Sequence, residues 1–145
     1  MPSVSDILAR KGPQVVTIGP EVYVLQAARV MNQHKIGSLL VLDGDQIVGM
    51  FTERDVLQRV VVEHRDPATT MVGEVMTVEV ACCTSATKIA EARTAMKDRR
   101  IRHLPVVDEQ GHVLGLISIG DLNAYEATSQ EQTIFLLQEY LYGRV

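Results

Sequence analysis

No apolar run in this 145-residue chain comes near the roughly 20 residues that a bilayer-crossing helix requires, so no membrane span is expected. Met1 to Asp6 carries neither the basic start nor the apolar stretch of a signal peptide, and a cytoplasmic location is expected. Positive charge is also scarce. The 14 Lys and Arg against 18 Asp and Glu leave a net charge of −4, which argues against a dedicated nucleic-acid binder; any anion held here should be small and held locally. Cysteine is limited to Cys82 and Cys83, whose adjacency suits neither a structural disulfide nor a zinc site. They read as small strand residues, and no metal is expected. The four histidines are scattered, and the chain has no His-Glu-x-x-His, no Gly-x-Ser-x-Gly and no phosphate loop ending in Gly-Lys-Ser/Thr. No enzyme and no required cofactor are expected. With 46% hydrophobic and 22% charged residues, the composition is that of a soluble globular protein, one domain or two half-size units sharing a core.

What the chain does contain is one segment twice. Ile36 to Asp55 lies over Ile101 to Asp121 with a single insertion at Gly111, and upstream the same register sets Met31 on Met96 and Ala27 on Ala92. A tandem repeat of this length predicts two similar units packed about a pseudo-twofold axis, so a site in the cleft between them should occur twice.

Each copy reads strand, helix, strand, strand, helix. In copy one the strand is Gln14 to Ile18, closed by Gly19-Pro20, and the helix is Glu21 to Gln33, with Val22, Leu25, Ala28 and Val30 toward the core. Ile36 to Leu42 and Gln46 to Phe51 flank Asp43-Gly44-Asp45 as a hairpin, and a helix from Glu53 to Glu63 follows. Copy two repeats the order with a strand Thr77 to Cys83, a helix Thr87 to Arg99, strands Leu104 to Val107 and His112 to Ile117, and a helix opening near Gly120. His64 to Thr69 is a polar linker, Thr70 to Met76 a helical turn or two, and Ser3 to Arg10 its counterpart before copy one. The expected division is therefore a helical segment over 1–14, copy one over 15–63, linker and short helix over 64–76, copy two over 77–127, and an amphipathic helix over 128–145. In that last segment Ile134, Leu137, Tyr140 and Leu141 share a face, which either closes the core or serves self-association.

Both copies end their last strand alike, in Gly49-Met-Phe-Thr52-Glu-Arg-Asp55 and Gly115-Leu-Ile-Ser118-Ile-Gly-Asp121. The glycine admits a ligand or another backbone. A hydroxyl followed three residues later by a carboxylate is either a capping box or a ligand grip. Together with Ile101-Arg-His-Leu-Pro-Val-Val-Asp108, Glu91-Ala92 and Met96, the pattern resembles a CBS domain, and two of them make a Bateman module, here of the short stand-alone bacterial type. The resemblance spans roughly residues 15 to 63 and 77 to 126. It implies an α/β (α+β) fold of two pseudo-twofold-related βαββα units that binds AMP, ADP, ATP, NAD or S-adenosylmethionine between them.

In the family the ribose-binding carboxylate of one copy faces the second strand of the other. The resemblance then implies a first site of Thr52, Arg54, Asp55, Ile101, Arg102 and His103, and a second of Ser118, Asp121, Ile36, Gly37 and Ser38. A carboxylate can accept both vicinal ribose hydroxyls, at roughly 1.5–3 kcal/mol for each charge-assisted bond. Phosphate can sit at the following helix N-terminus. Gly120 replaces Arg54, and Gly37-Ser38 replaces Arg102-His103, so tighter phosphate binding is expected at the first site; Leu40 for Pro105 and Val22 for Thr87 are further departures. Arg99 and Arg100 read as solvated charge complementing a helix C-terminus, Arg102 as a ligand contact, and His103 as either a ligand contact or a partner within the fold. Three functions remain open: a nucleotide-binding sensor acting on an unidentified partner, a ligand-independent scaffold that dimerises or docks, and an undetected hydrolase. A homodimer is expected.

Overall fold

The computed structural model describes residues 2–127. The helix expected over 128–145 lies outside them. The elements are α1 (Val4–Lys11), β1 (Thr17–Ile18), α2 (Val24–His34), β2 (Ser38–Asp43), β3 (Gln46–Thr52), α3 (Glu53–Asp55), α4 (Val72–Val75), α5 (Ile89–Arg99), β4 (His103–Val107), β5 (Val113–Ser118) and α6 (Ile119–Glu126). After its single turn α3 widens into a π-helical stretch, Val56–Val61, whereas its counterpart α6 stays α-helical throughout.

Each copy builds its own small sheet. β2 and β3 pair antiparallel around Gly44, whose φ of +62° is one that glycine adopts without penalty, and β1 adds in parallel with Thr17 opposite Leu40. β4 and β5 form the matching hairpin, and the inserted Gly111 takes the same role at φ +85°. A register shift recurs between Val41 and Leu42 and between Val106 and Val107, so the repeat extends to the irregularities of the ladder.

The helices present a different face from the one expected. In α2 the buried residues are Val24, Ala27 and Met31, each next to one of the expected Leu25, Ala28 and Val30; Val30 packs partly buried against the core and Val22 precedes the helix, while α5 buries Ile89, Ala92 and Met96. The aligned pairs Ala27/Ala92 and Met31/Met96 mark that face in both copies. Both helices begin later than expected, because the residues after Pro20 and after Thr84 are spent in turns.

Two apolar cores form, and the short helices cross between them. Copy one packs α2, β2 and β3 around Phe51 and Leu39, and is completed by Val72 and Val75 of α4. Copy two packs α5, β4 and β5 around Met96, Leu104 and Ile117, and is completed by Val4 and Ile7 of α1. The helix that precedes each copy thus closes the other. Backbone bonds fix both crossings: Val4 N–H to the Thr87 carbonyl at 2.8 Å, and Val72 N–H to the Val22 carbonyl at 2.8 Å. Burying a valine contributes about 1.5–3 kcal/mol, so neither core is complete without its visiting helix.

The strand expected over Thr77 to Cys83 does not form. Thr77 bridges Met50 of copy one and Cys83 bridges Val106 of copy two, so the residues between them cross from one sheet to the other and pair with neither. Gln14 to Ile18 likewise contracts to Thr17–Ile18. Cys83 sits in the core of copy two, and burial, with Cys82 beside it, pushes its thiol up to about 11. Neither cysteine is bonded to the other.

Candidate functional site

Where the two hairpins meet, a cleft of about 670 Å³ opens between the start of α3, the crossing segment after α4, the loop before β4 and the start of α6. Its walls are built by the repeat. Each long helix ends on a left-handed residue, Lys35 or Arg100, both at φ +55°, which turns the chain so that Ile36 N–H reaches the Met31 carbonyl at 3.0 Å and Ile101 N–H the Met96 carbonyl at 2.9 Å. The same loops then seat the next helix start, with Glu53 N–H on the Gly37 carbonyl at 3.0 Å and Ile119 N–H on the Arg102 carbonyl at 2.9 Å.

Both hydroxyl–carboxylate pairs form capping boxes. Asp55 Oδ2 accepts the Thr52 N–H at 3.0 Å and Thr52 Oγ1 accepts the Asp55 N–H at 3.2 Å; Asp121 and Ser118 do the same at 2.8 and 3.1 Å. Two of the three amides at the start of α3, those of Glu53 and Asp55, are therefore taken. The carboxylates differ in their further partners. The Thr77 hydroxyl donates to Asp55 Oδ1 at 3.1 Å, with the Arg59 Nε 3.7 Å away, whereas Lys11 Nζ donates to Asp121 Oδ2 at 2.7 Å. Arg59 also donates to the Val75 and Met76 carbonyls at 3.3 and 2.8 Å, so its charge complements the C-terminal end of α4 and ties that helix to Asp55.

All six residues of the first set, Thr52, Arg54, Asp55, Ile101, Arg102 and His103, line the cleft. Asp55 is only 5% exposed. Of the second set, Gly37 and Ser118 line the same cleft, Ser38 is buried, Ile36 borders a separate shallow depression with Lys35 and Glu53, and Asp121 is paired with Lys11. Thr77, Glu79, Val80 and Ala81 of the crossing segment also line the cleft, as does Arg100, which the sequence reading left in solvent. The segment had no signal of its own as a wall, because its β-branched pattern reads as a strand. Arg100 could have been found from the helix end: a residue that reverses the chain at φ +55° sends its neighbours, and here its own side chain, toward the next loop.

Electrostatically the cleft is mixed. Arg54, Arg100 and Arg102 stand against Glu53, Asp55 and Glu79. Burial holds the His103 imidazole below its ordinary value; Lys11 and Arg102 push the same way and Asp121 opposes them. Among the described residues no group of three or more His, Cys, Asp or Glu is placed to hold a metal ion, and no helix is long and apolar enough to cross a membrane.

Compared with known families, the sequence matches the model of the CBS domain twice, over residues 4–62 and 72–127. The chain belongs to the CBS-domain family. Each matched span begins on one of the crossing helices, so the CBS unit as a sequence and the CBS core as a packed body differ by the exchange of α1 and α4. Among relatives, the mitochondrial CBS domain-containing protein CBSX3 of Arabidopsis thaliana is 34% identical across 97% of this chain and 72% of its own length. The CBS domain-containing protein YhcV of Bacillus subtilis is 32% identical across 90% of this chain and 89% of its own length. Among solved structures, a protein with CBS domains from Burkholderia ambifaria superposes with a TM-score of 0.84 at 38% identity, over 88% of this chain and 96% of that one. The CBS domain pair of protein MJ0100, solved in complex with 5′-methylthioadenosine and S-adenosyl-L-methionine, shares the fold at 22% identity and a TM-score of 0.75, over 85% of this chain and 98% of that one.

Proposed function

We propose that this CBS pair is a regulatory module that binds an adenosine-containing ligand, AMP, ADP, ATP or NAD, in the cleft between its copies and passes the occupancy to a partner protein by a change in shape. One observation carries the reading: a nearly buried carboxylate, Asp55 of copy one, shares a nucleotide-sized cleft with Arg100 and Arg102 of copy two. A ribose gripped by Asp55, in exchange for or alongside the Thr77 hydroxyl, and a phosphate held by the guanidinium groups would tie the two copies together. A ligand that binds one arrangement of the copies better than another shifts their equilibrium by that difference in affinity. The adenosine-type ligands of MJ0100 support the ligand class, and the module acts by binding rather than by catalysis.

The test is thermal. A ligand present at a hundredfold excess over its dissociation constant stabilises the folded state by about 2.7 kcal/mol, a shift of several degrees for a chain of this size. Millimolar AMP, ATP or NAD should each be tried, and no shift with any of the three would overturn the reading. A second reading has its own support: both carboxylates already have internal partners, as they would in a ligand-independent docking scaffold. That scaffold would melt at one temperature with or without nucleotide. In either role we propose a homodimer, with the exposed Leu57 and Val61 of the π-helical stretch and the adjoining Val62 as its contact.

A further inference from the structure

The repeat offers two carboxylates at two equivalent helix starts, yet the chain treats them differently. In copy one the backbone N–H of Thr77 donates to the Met50 carbonyl at 2.8 Å and its hydroxyl to Asp55. In copy two Leu116 stands where copy one has Met50. There the single Lys11 Nζ makes both bonds, to the Leu116 carbonyl at 2.7 Å and to Asp121 Oδ2 at 2.7 Å. The cause is helix length. α4 stops at Val75 and the chain runs on extended past β3, while α1 continues to Lys11, and its last residue delivers an ammonium to β5 and α6. Arg10 of the same turn lies 4.6 Å over the Tyr125 ring, which holds this end of α1 against α6.

A hydroxyl can turn away and let a ribose take its place at little cost. An ammonium that bridges a carboxylate and a carbonyl must give up two bonds at once to admit a ligand, although the pair is partly open to water, at 34% and 24% side-chain exposure. This half of the cleft also lacks two of the guanidinium groups a phosphate would meet in the other, since Gly120 and Gly37 stand where the other half has Arg54 and Arg102. We infer that Lys11 closes the second ligand position from within, so that each chain takes up one nucleotide, at the Asp55 side, and the Asp121 side serves as a fixed wall. This rests on the nucleotide reading above and adds the stoichiometry and the residue that sets it.

Isothermal titration with AMP tests it. Wild type should bind one AMP per chain, and Lys11→Met, which keeps the apolar stem of the side chain, should bind two, the added one more weakly. Lys11→Met with Asp121→Ala should return to one. No binding by any form would remove the nucleotide reading itself, whereas two AMP per wild-type chain would leave that reading standing and overturn the closure by Lys11. One AMP per Lys11→Met chain, or a second AMP that survives Asp121→Ala, would also overturn it. Should Lys11→Met not fold, Lys11→Gln supplies a neutral donor like the Thr77 hydroxyl and is expected to bind two.

Discussion

Arg100 combines a strained backbone with a side chain in the cleft. The left-handed conformation costs an L-residue about 1–2 kcal/mol, and glycine escapes that cost while losing about 0.5–1 kcal/mol through the greater freedom of the unfolded chain. Arg100→Gly should therefore leave stability equal or raise it by up to about 1.5 kcal/mol. Loss of a charge-assisted bond to phosphate, about 1.5–3 kcal/mol, should at the same time weaken AMP binding by roughly 10–100-fold. Lys35 provides the control, with the same φ at the aligned place in copy one and no position on the cleft wall. Lys35→Gly should show the same change in urea denaturation with unchanged affinity, and equal affinity in both variants would take Arg100 out of the site.

At the scale of elements, the repeated glycines before each capping box serve the crossing helices. A methyl group at Gly49 would come within 2.8 Å of the Thr77 carbonyl and 2.6 Å of Met76 Sδ, whereas at Gly115 it would meet only the tip of Leu8, at 2.6 Å. Backbone cannot yield as a side-chain end can. Gly49→Ala should cost about 1–3 kcal/mol and Gly115→Ala less than about 1 kcal/mol, read from urea midpoints; equal costs would show that the crossing segment moves freely. Both hairpins were legible in the sequence, because Asp43-Gly44-Asp45 and Gly111 dictate reversals between apolar runs. So was the repeat, because aligned residues fill equal places: Thr52 and Ser118 cap, Ala27 and Ala92 pack. The destination of α1 was not legible. A short amphipathic helix records which face is apolar, not which of two similar sheets it will meet. Lys11 was missed for the same reason, since its partner Asp121 lies at the far end of the described chain. The expected strand over Thr77 to Cys83 failed because β-branched residues suit extended backbone whether or not a neighbour is present to pair with it.

Taken whole, the molecule is two cores sharing one cleft, and three of the seven large apolar side chains exposed among the described residues lie close together in sequence. Leu57 and Val61 of the π-helical stretch and Val62 just after it are 59%, 59% and 62% exposed. A symmetric contact through that face would bury the group twice over. The chain should therefore run as a dimer at micromolar concentration in light scattering, and Val61→Glu should shift it to monomer with the melting behaviour of a folded protein. A monomeric wild type would overturn the assembly.

The crossing of the short helices also sets a timetable. α4 meets copy one as soon as it is made, because every strand and helix it packs on precedes it in the chain. α1 is made early but packs against Ile117 and Leu122, so at roughly 5–20 residues per second it waits many seconds for them. During synthesis copy one can fold while the ribosome is still building copy two, with Val4 and Ile7 left facing water or a chaperone. Among the described residues, the cleft, whose second wall depends on α1 arriving, is the last feature to form.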